Sequence, residues 1–292
     1  MGLGPIQPSV VEKRTEDMKD YSGKVVLITG GTKGIGLATG LAFGRLGAHL
    51  WLTHRWGSAN EDDIRAQFAE AGAPAPMIVE ADASKGKETL ALLEQVKTKH
   101  DAVDVLLNNV AMVVRGDGVM NHTARALHRS LDYSAWPFVD YLQGIKKVFG
   151  VYPSYAVATS SDGADVHYPN YDYVGVSKAV LECFARYMAT HLQGEGTKVN
   201  VLRTRQVATD SYKEIFGDSN VELGEKFGEW SVTTEECANT IVAMCSGLFD
   251  SMSGQVVTLD KGASYVDNMF TLGSRLFPAT TPNAEGEEVS NG

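Results

Sequence analysis

Seven short apolar runs, separated by stretches of helical length, constrain this chain more than any other feature. They are KVVLITG (24–30), AHLWLTH (48–54), PMIVEAD (76–82), VDVLLNN (103–109), YAVATSS (155–161), KVNVLR (198–203) and QVVTLD (255–260). Each is continuously apolar, as in a strand covered on both faces, where a half-exposed strand would alternate. The intervening segments, such as IGLATGLAFGRLG and EDDIRAQFAEAG, carry apolar residues at helical spacing. Strand and helix in alternation predict βαβ units. The expected fold class is therefore α/β: a Rossmann-type, doubly wound, seven-stranded parallel sheet in a single domain. No internal repeat or linker divides the core, and 292 residues suit one large domain. It is expected to span 21–275. Residues 1–20 contain two prolines and no periodicity, which predicts a flexible arm or one that packs on a neighbouring subunit. Residues 276–292, rich in Pro, Gly, Ser and acid, predict a disordered tail.

Composition narrows the partners. A net charge of −10 argues against nucleic acid and against an anionic membrane surface. No apolar run reaches spanning length, and the N-terminus lacks a signal-peptide core. The three cysteines, Cys183, Cys237 and Cys245, show neither CxxC spacing nor a paired framework. No metal site or disulfide scaffold is expected, and the expected compartment is the reducing cytoplasm.

TGGTKGIG, residues 29–36, follows the first strand and opens the first helix. Glycines at 30, 34 and 36 let the backbone turn tightly and approach a pyrophosphate seated on the helix N-terminus. Gly30, Thr32, Lys33, Gly34, Ile35 and Gly36 are thus the expected dinucleotide cradle. The second strand ends in His54 and Arg55, where an NAD site usually places Asp or Glu for the ribose hydroxyls. With Lys33 in the turn, these cationic groups suit a 2′-phosphate and favour NADPH over NADH.

With these features the chain resembles the short-chain dehydrogenase/reductases over roughly residues 21–265. TGGTKGIG is similar to the family's TGxxxGIG, and Asn108-Asn109-Val110-Ala111 to its NNAG. Asp82 matches its adenine contact, and SGQVVTLDKG resembles its closing strand. The resemblance implies cofactor contacts from Asp82, Ala83, Asn109, Val110, Ala111, Val207 and Thr209. It also implies a homodimer or homotetramer formed through long helices, one of them 173–191.

The carbonyl-reducing majority of that family places a tyrosine four residues before a lysine. Four before Lys178 stands Val174. On a helix, spacings of four and seven displace two side chains by about 40° and about 20°, whereas five displaces them by about 140°. Tyr171, seven before Lys178, shares its face; Tyr173 does not. The Tyr-x6-Lys spacing resembles the divergent branch of enoyl-acyl-carrier-protein reductases, as do YDYVGVSKAVLECFARYMA and the segment from Asp132 to Phe138. The resemblance implies that Tyr171 bonds a thioester carbonyl, that Lys178 binds the nicotinamide ribose and lowers the tyrosine pKa, and that Ser161 orients substrate or merely ends its strand.

After the sixth strand the chain departs from the family. Arg205 stands where a glycine is expected, with Arg203 two before it; each either holds an anionic substrate or swings outward to pair with acid groups. The stretch 209–230 falls at the family's substrate lid, where Phe216, Phe227 and Trp230 line an acyl pocket or pack ordinarily. Tyr173, Arg205 and Phe216 are the expected substrate contacts. His122 and His128 lack metal-like partners and are expected to be solvated or packed.

Three readings follow. The first is an NADPH-dependent reductase of an α,β-unsaturated acyl thioester, carried on acyl-carrier protein or coenzyme A. The second is a carbonyl reductase using Tyr171 or Tyr173 as acid. The third is a cofactor-binding relative without redox turnover.

Overall fold

VVLIT, the first strand, is buried at all five positions, and its alternate side chains feed two separate cores. Val25 and Leu27 join Phe138, Tyr141 and Leu181 on one face of the sheet. Val26 and Ile28 join Phe43, Phe68 and Ile241 on the other. A strand with apolar residues on both sides needs helices on both sides. The computed structural model, which describes residues 20–116, 118–207, 209, 212, 214, 228 and 230–267, supplies them.

The strands are β1 Val25–Thr29, β2 His49–His54, β3 Met77–Glu80, β4 Val105–Asn108, β5 Tyr155–Ser161, β6 Lys198–Thr204 and β7 Val256–Leu259. Each falls within two residues of its apolar run. They form one sheet in the order β3-β2-β1-β4-β5-β6-β7, parallel throughout. The helices are α1 Gly34–Arg45, α2 Glu61–Glu70, α3 Gly86–Lys97, α4 Ala124–Ser134, α5 Trp136–Phe149, α6 Asp172–His191 and α7 Thr234–Met244. Residues of α3, α5 and α6 enter the first core, and those of α1, α2 and α7 the second.

Local chemistry sets the helix ends. The Asn60 side chain accepts from the Asp63 amide to start α2. Thr233 and Glu236 form a reciprocal capping box on α7, and Gly150, at φ 77°, ends α5. The chain winds outward from β1 to β3, then returns to place β4 on the other side of β1. Ligands of open α/β sheets bind at this switch point, beyond the carboxyl ends of the strands. Among the described residues no helix is long and apolar enough to cross a membrane, and no group of three or more His, Cys, Asp or Glu is placed to hold a metal.

Candidate active site

The glycine turn is locked to its neighbours. Gly30 and Gly34 adopt φ of 61° and 51°, a left-handed backbone that favours glycine. A Cβ on Gly36 would stand 2.3 Å from the Gly30 carbonyl oxygen and 2.7 Å from Asn109 Nδ2, so only glycine fits. Asn109 Nδ2 donates to that same carbonyl at 2.8 Å, and Thr29 Oγ1 accepts from the amides of Asn109 and Val110 at 3.0 and 3.1 Å. β4 is thereby tied to the turn through buried polar groups.

Beyond the strand ends opens a cavity of about 940 Å³. The expected cofactor residues Gly30, Thr32, Lys33, Gly34, Ile35, His54, Arg55, Ala83, Asn109, Val110, Ala111, Lys178, Val207 and Thr209 all line it, as do Ser161, Tyr171 and Arg205. Gly36 lies buried beneath the turn. Asp82 also stands outside the lining. Its carboxylate accepts from the Ser84 amide and hydroxyl and from Tyr133, and lies 3.7 Å from Arg55 Nη1. Burial pushes the Asp82 carboxyl up, but the bonds from Ser84 and Tyr133 and the Arg55 charge outweigh it and leave the group below its ordinary range.

At the β2 end of the cavity, polar atoms stand without hydrogen bonds. Both ring nitrogens of buried His54 and Nη1 of Arg55 make no hydrogen bond, and His54 Nε2 is 3.9 Å from the Glu61 carboxylate. The Arg55 guanidinium carbon lies 3.3 Å from the Trp56 ring centre and 4.3 Å from that of Tyr133, a cation–π clamp. Trp56 holds φ at 58°, rare for a bulky residue, and is largely exposed. Sequence reasoning passed over Trp56 and Tyr133 as contributors here. The Trp-Gly pair directly after β2 is the signal that could have found the first.

At the β5–α6 end, three expected residues converge. Ser161 closes β5, and its Oγ accepts from the Gly163 amide at 3.2 Å. The Tyr171 hydroxyl is hydrogen-bonded to Ser161, yet burial dominates and raises the phenol pKa. Tyr171 does not lie within the helix, as the phase argument assumed, but caps it at φ −105°, ψ 1°. Lys178 extends from the second turn of α6, its Nζ donating to the Thr159 carbonyl at 2.9 Å. Burial lowers the lysine pKa to about 8 against the opposing charge of Glu182. Val174, at the commoner spacing, is 4% exposed and does not line the cavity. Nor does Tyr173, expected as a substrate contact. It is buried, its hydroxyl accepts from the Thr123 amide at 2.6 Å, and its ring lies against His122.

The two arginines after β6 behave differently. Arg203 turns from the cavity, donating from Nε to Glu182 at 2.9 Å and from its terminal nitrogens to Glu182 and Asp165. Arg205 lines the cavity while donating to the Ala263 carbonyl at 2.9 Å, its Nε 3.7 Å from Asp162. Asp162 in turn accepts from Tyr168 at 2.7 Å. Tyr168, a further lining residue, was not foreseen. Phe216 and Phe227, and with them most of the expected lid, lie outside the described residues.

A family model described as Enoyl-(Acyl carrier protein) reductase matches residues 30–264. The NADH-type enoyl-acyl-carrier-protein reductase FabI of Aquifex aeolicus is 24% identical over 249 residues, covering 82% of this chain and 91% of its own. The 1-cyclohexenylcarbonyl-CoA reductase of Streptomyces collinus is 27% identical over 263 residues, covering 87% and 90%. Among solved structures, the Cj0485 dehydrogenase shares the fold at a TM-score of 0.75 and 21% identity, over 86% of this chain and 97% of its own. A 7α-hydroxysteroid dehydrogenase complexed with NADH shares it at 0.72 and 20%, over 85% and 96%.

Proposed function

Because this chain belongs to the enoyl-acyl-carrier-protein reductase family, within the short-chain dehydrogenase/reductases and their nicotinamide-dependent oxidoreductases, we propose that it reduces the carbon–carbon double bond of an α,β-unsaturated acyl thioester with NADPH. The observation that carries this reading is the convergence of Tyr171, Ser161 and Lys178 on the cavity that the glycine turn also lines, while the position of the commoner tyrosine is a buried valine.

The residues present fit a phosphorylated dinucleotide. Gly30 and Gly34 bare the backbone for the pyrophosphate, and His54 and Arg55 offer buried nitrogens that make no hydrogen bond, with Asp82 and Glu61 at 3.7 and 3.9 Å, as a 2′-phosphate site requires of its donors. The Aquifex aeolicus FabI relative is of NADH type; the cationic β2 tip is what favours NADPH here. Bound there, the cofactor supplies the hydride that adds to the β-carbon.

The chain's own groups manage the charge that results. Hydride addition at the β-carbon leaves negative charge on the thioester oxygen, two carbons away. A donor for it must stand further from the ring than the acid of a ketone reductase. Tyr171, at the head of α6 and one turn before the usual site, meets that demand. Ser161 orients the phenol, and Lys178, when charged, holds the ribose and makes the phenolate less costly. Assembly into a homodimer or homotetramer belongs to the same reading, supported by the exposed Val176, Phe184 and Tyr187 of α6 beside Trp136.

The test is NADPH oxidation with crotonyl and longer enoyl thioesters beside a panel of ketones. Enoyl thioesters are expected to turn over, and Tyr171→Phe to lower kcat/KM by about 10²–10³ with NADPH affinity unchanged. Reduction of ketones alone, or full activity in the variant, overturns the reading.

A further inference from the structure

A second cavity of about 570 Å³ adjoins the first, and Arg55, Trp56, Ala111 and Glu214 line both. One wall is apolar: half-buried Met112, Val113 and Val114 on the segment after β4. The facing wall is the first half of α4, carrying Arg125 and Arg129. Among the described residues neither arginine forms an ion pair or hydrogen bond. They stand four apart on one helix face, where like charges repel. The first turn of α4 contains no acidic residue, so Arg125 also sits at the helix end whose dipole disfavours cations. In a chain of net charge −10, two exposed arginines without ion pairs, facing a cavity whose carboxylate is Glu214, concentrate positive charge without any gain visible in the fold. Such departures mark ligand sites.

We propose that this second cavity binds the phosphate-bearing end of a coenzyme A thioester. The inference rests on the thioester reading above and names the carrier. Two free guanidiniums present planar forks suited to a phosphate. The Met112–Val114 wall accompanies the arm that joins phosphate to sulfur, and Ala111 marks its passage toward Tyr171. Arg125 and Arg129 do not line the first cavity, so their contribution is separable from cofactor binding.

The experiment compares wild type with the double variant Arg125→Ala/Arg129→Ala on three crotonyl thioesters, of coenzyme A, of acyl-carrier protein and of N-acetylcysteamine, which has no phosphate. The preference for the coenzyme A over the N-acetylcysteamine thioester, as a ratio of kcat/KM, is expected to fall about tenfold, one good charged contact's worth. An unchanged Tm serves as the control for folding. An unchanged ratio overturns the proposal, and a loss confined to the acyl-carrier-protein thioester overturns it in favour of protein docking. Should wild type reduce none of the three, the thioester reading falls by itself. Calorimetry of free coenzyme A then decides the site: a Kd weakened about tenfold in the double variant sustains an anion site, and equal binding, or none, removes it.

Discussion

Two tips of the same sheet carry arginines, and they are built in opposite ways. At the end of β2, Arg55 is held by the faces of Trp56 and Tyr133, its Nη1 3.7 Å from the Asp82 carboxylate but without a hydrogen bond, and His54 beside it has neither nitrogen hydrogen-bonded. At the end of β6, Arg203 is bound by Glu182 and Asp165 and Arg205 by Asp162 and a backbone carbonyl. Aromatic faces with a carboxylate beyond hydrogen-bond reach leave a guanidinium its N–H groups for a ligand; direct hydrogen bonds, as on Arg203 and Arg205, spend them within the fold. In sequence the two tips look alike, and only the identity of their partners separates them.

The sharpest way to break this contrast is Arg203→Ala. Glu182 is 3% exposed and keeps only the Ser160 hydroxyl, at 2.7 Å, beside Lys178, whose own proton is loosened by burial. Removing one partner of a buried pair costs about 3–5 kcal/mol. Chemical denaturation should show a loss of that size, and the double variant Arg203→Met/Glu182→Leu should recover most of it. A loss below about 1 kcal/mol would mean that Arg203 is no more than a surface charge.

The mirror experiment is Arg55→Ala. If β2 presents its cation to a phosphate, the Kd for NADPH rises about 10- to 100-fold, or roughly 1.4–2.8 kcal/mol, with the NADH Kd little changed and Tm nearly constant. Equal weakening toward both cofactors would remove the basis for preferring NADPH. Titration calorimetry with each cofactor reads this directly.

How much of this was legible beforehand follows from how local each signal is. The strands were readable because burial on both faces leaves a continuous apolar run, and the glycine turn because Gly30, Gly34 and Gly36 answer to backbone geometry that no other residue meets. Counting from Lys178 reached Tyr171, which lines the same cavity, although the helical phase used for the count does not strictly apply to a residue that caps the helix. The partners of Arg203 and Arg205 were not readable, since Glu182, Asp165 and Asp162 lie 21, 38 and 43 positions away and meet them only through tertiary packing. Tyr133 escaped for the same reason, lying 78 positions from Arg55 and meeting it only where α4 packs beside the β2 end; Trp56, next to Arg55 in sequence, was a local signal overlooked.

The smallest expected effect, and the one that best separates the two arginines of β6, is that of Arg205→Ala. Its contacts are one hydrogen bond and a pair at 3.7 Å, so the loss at neutral pH should be about 1 kcal/mol. The pH dependence carries the information. Burial raises the Asp162 pKa, against the hydrogen bond from Tyr168 and the Arg205 charge. The folded state therefore binds the Asp162 proton more tightly than the unfolded state. Stability from this group is present in acid and is lost as pH rises through the folded pKa. Without Arg205 that pKa moves higher still, and the loss extends over a wider range. The difference between wild type and variant should accordingly be full near pH 7 and vanish as pH falls below the wild-type Asp162 pKa. Denaturation curves in steps from pH 4 to 8 measure it. A difference independent of pH would assign the stabilisation to the Ala263 carbonyl and leave the Arg205 charge open to a ligand in the cavity, as the charge of Arg55 is.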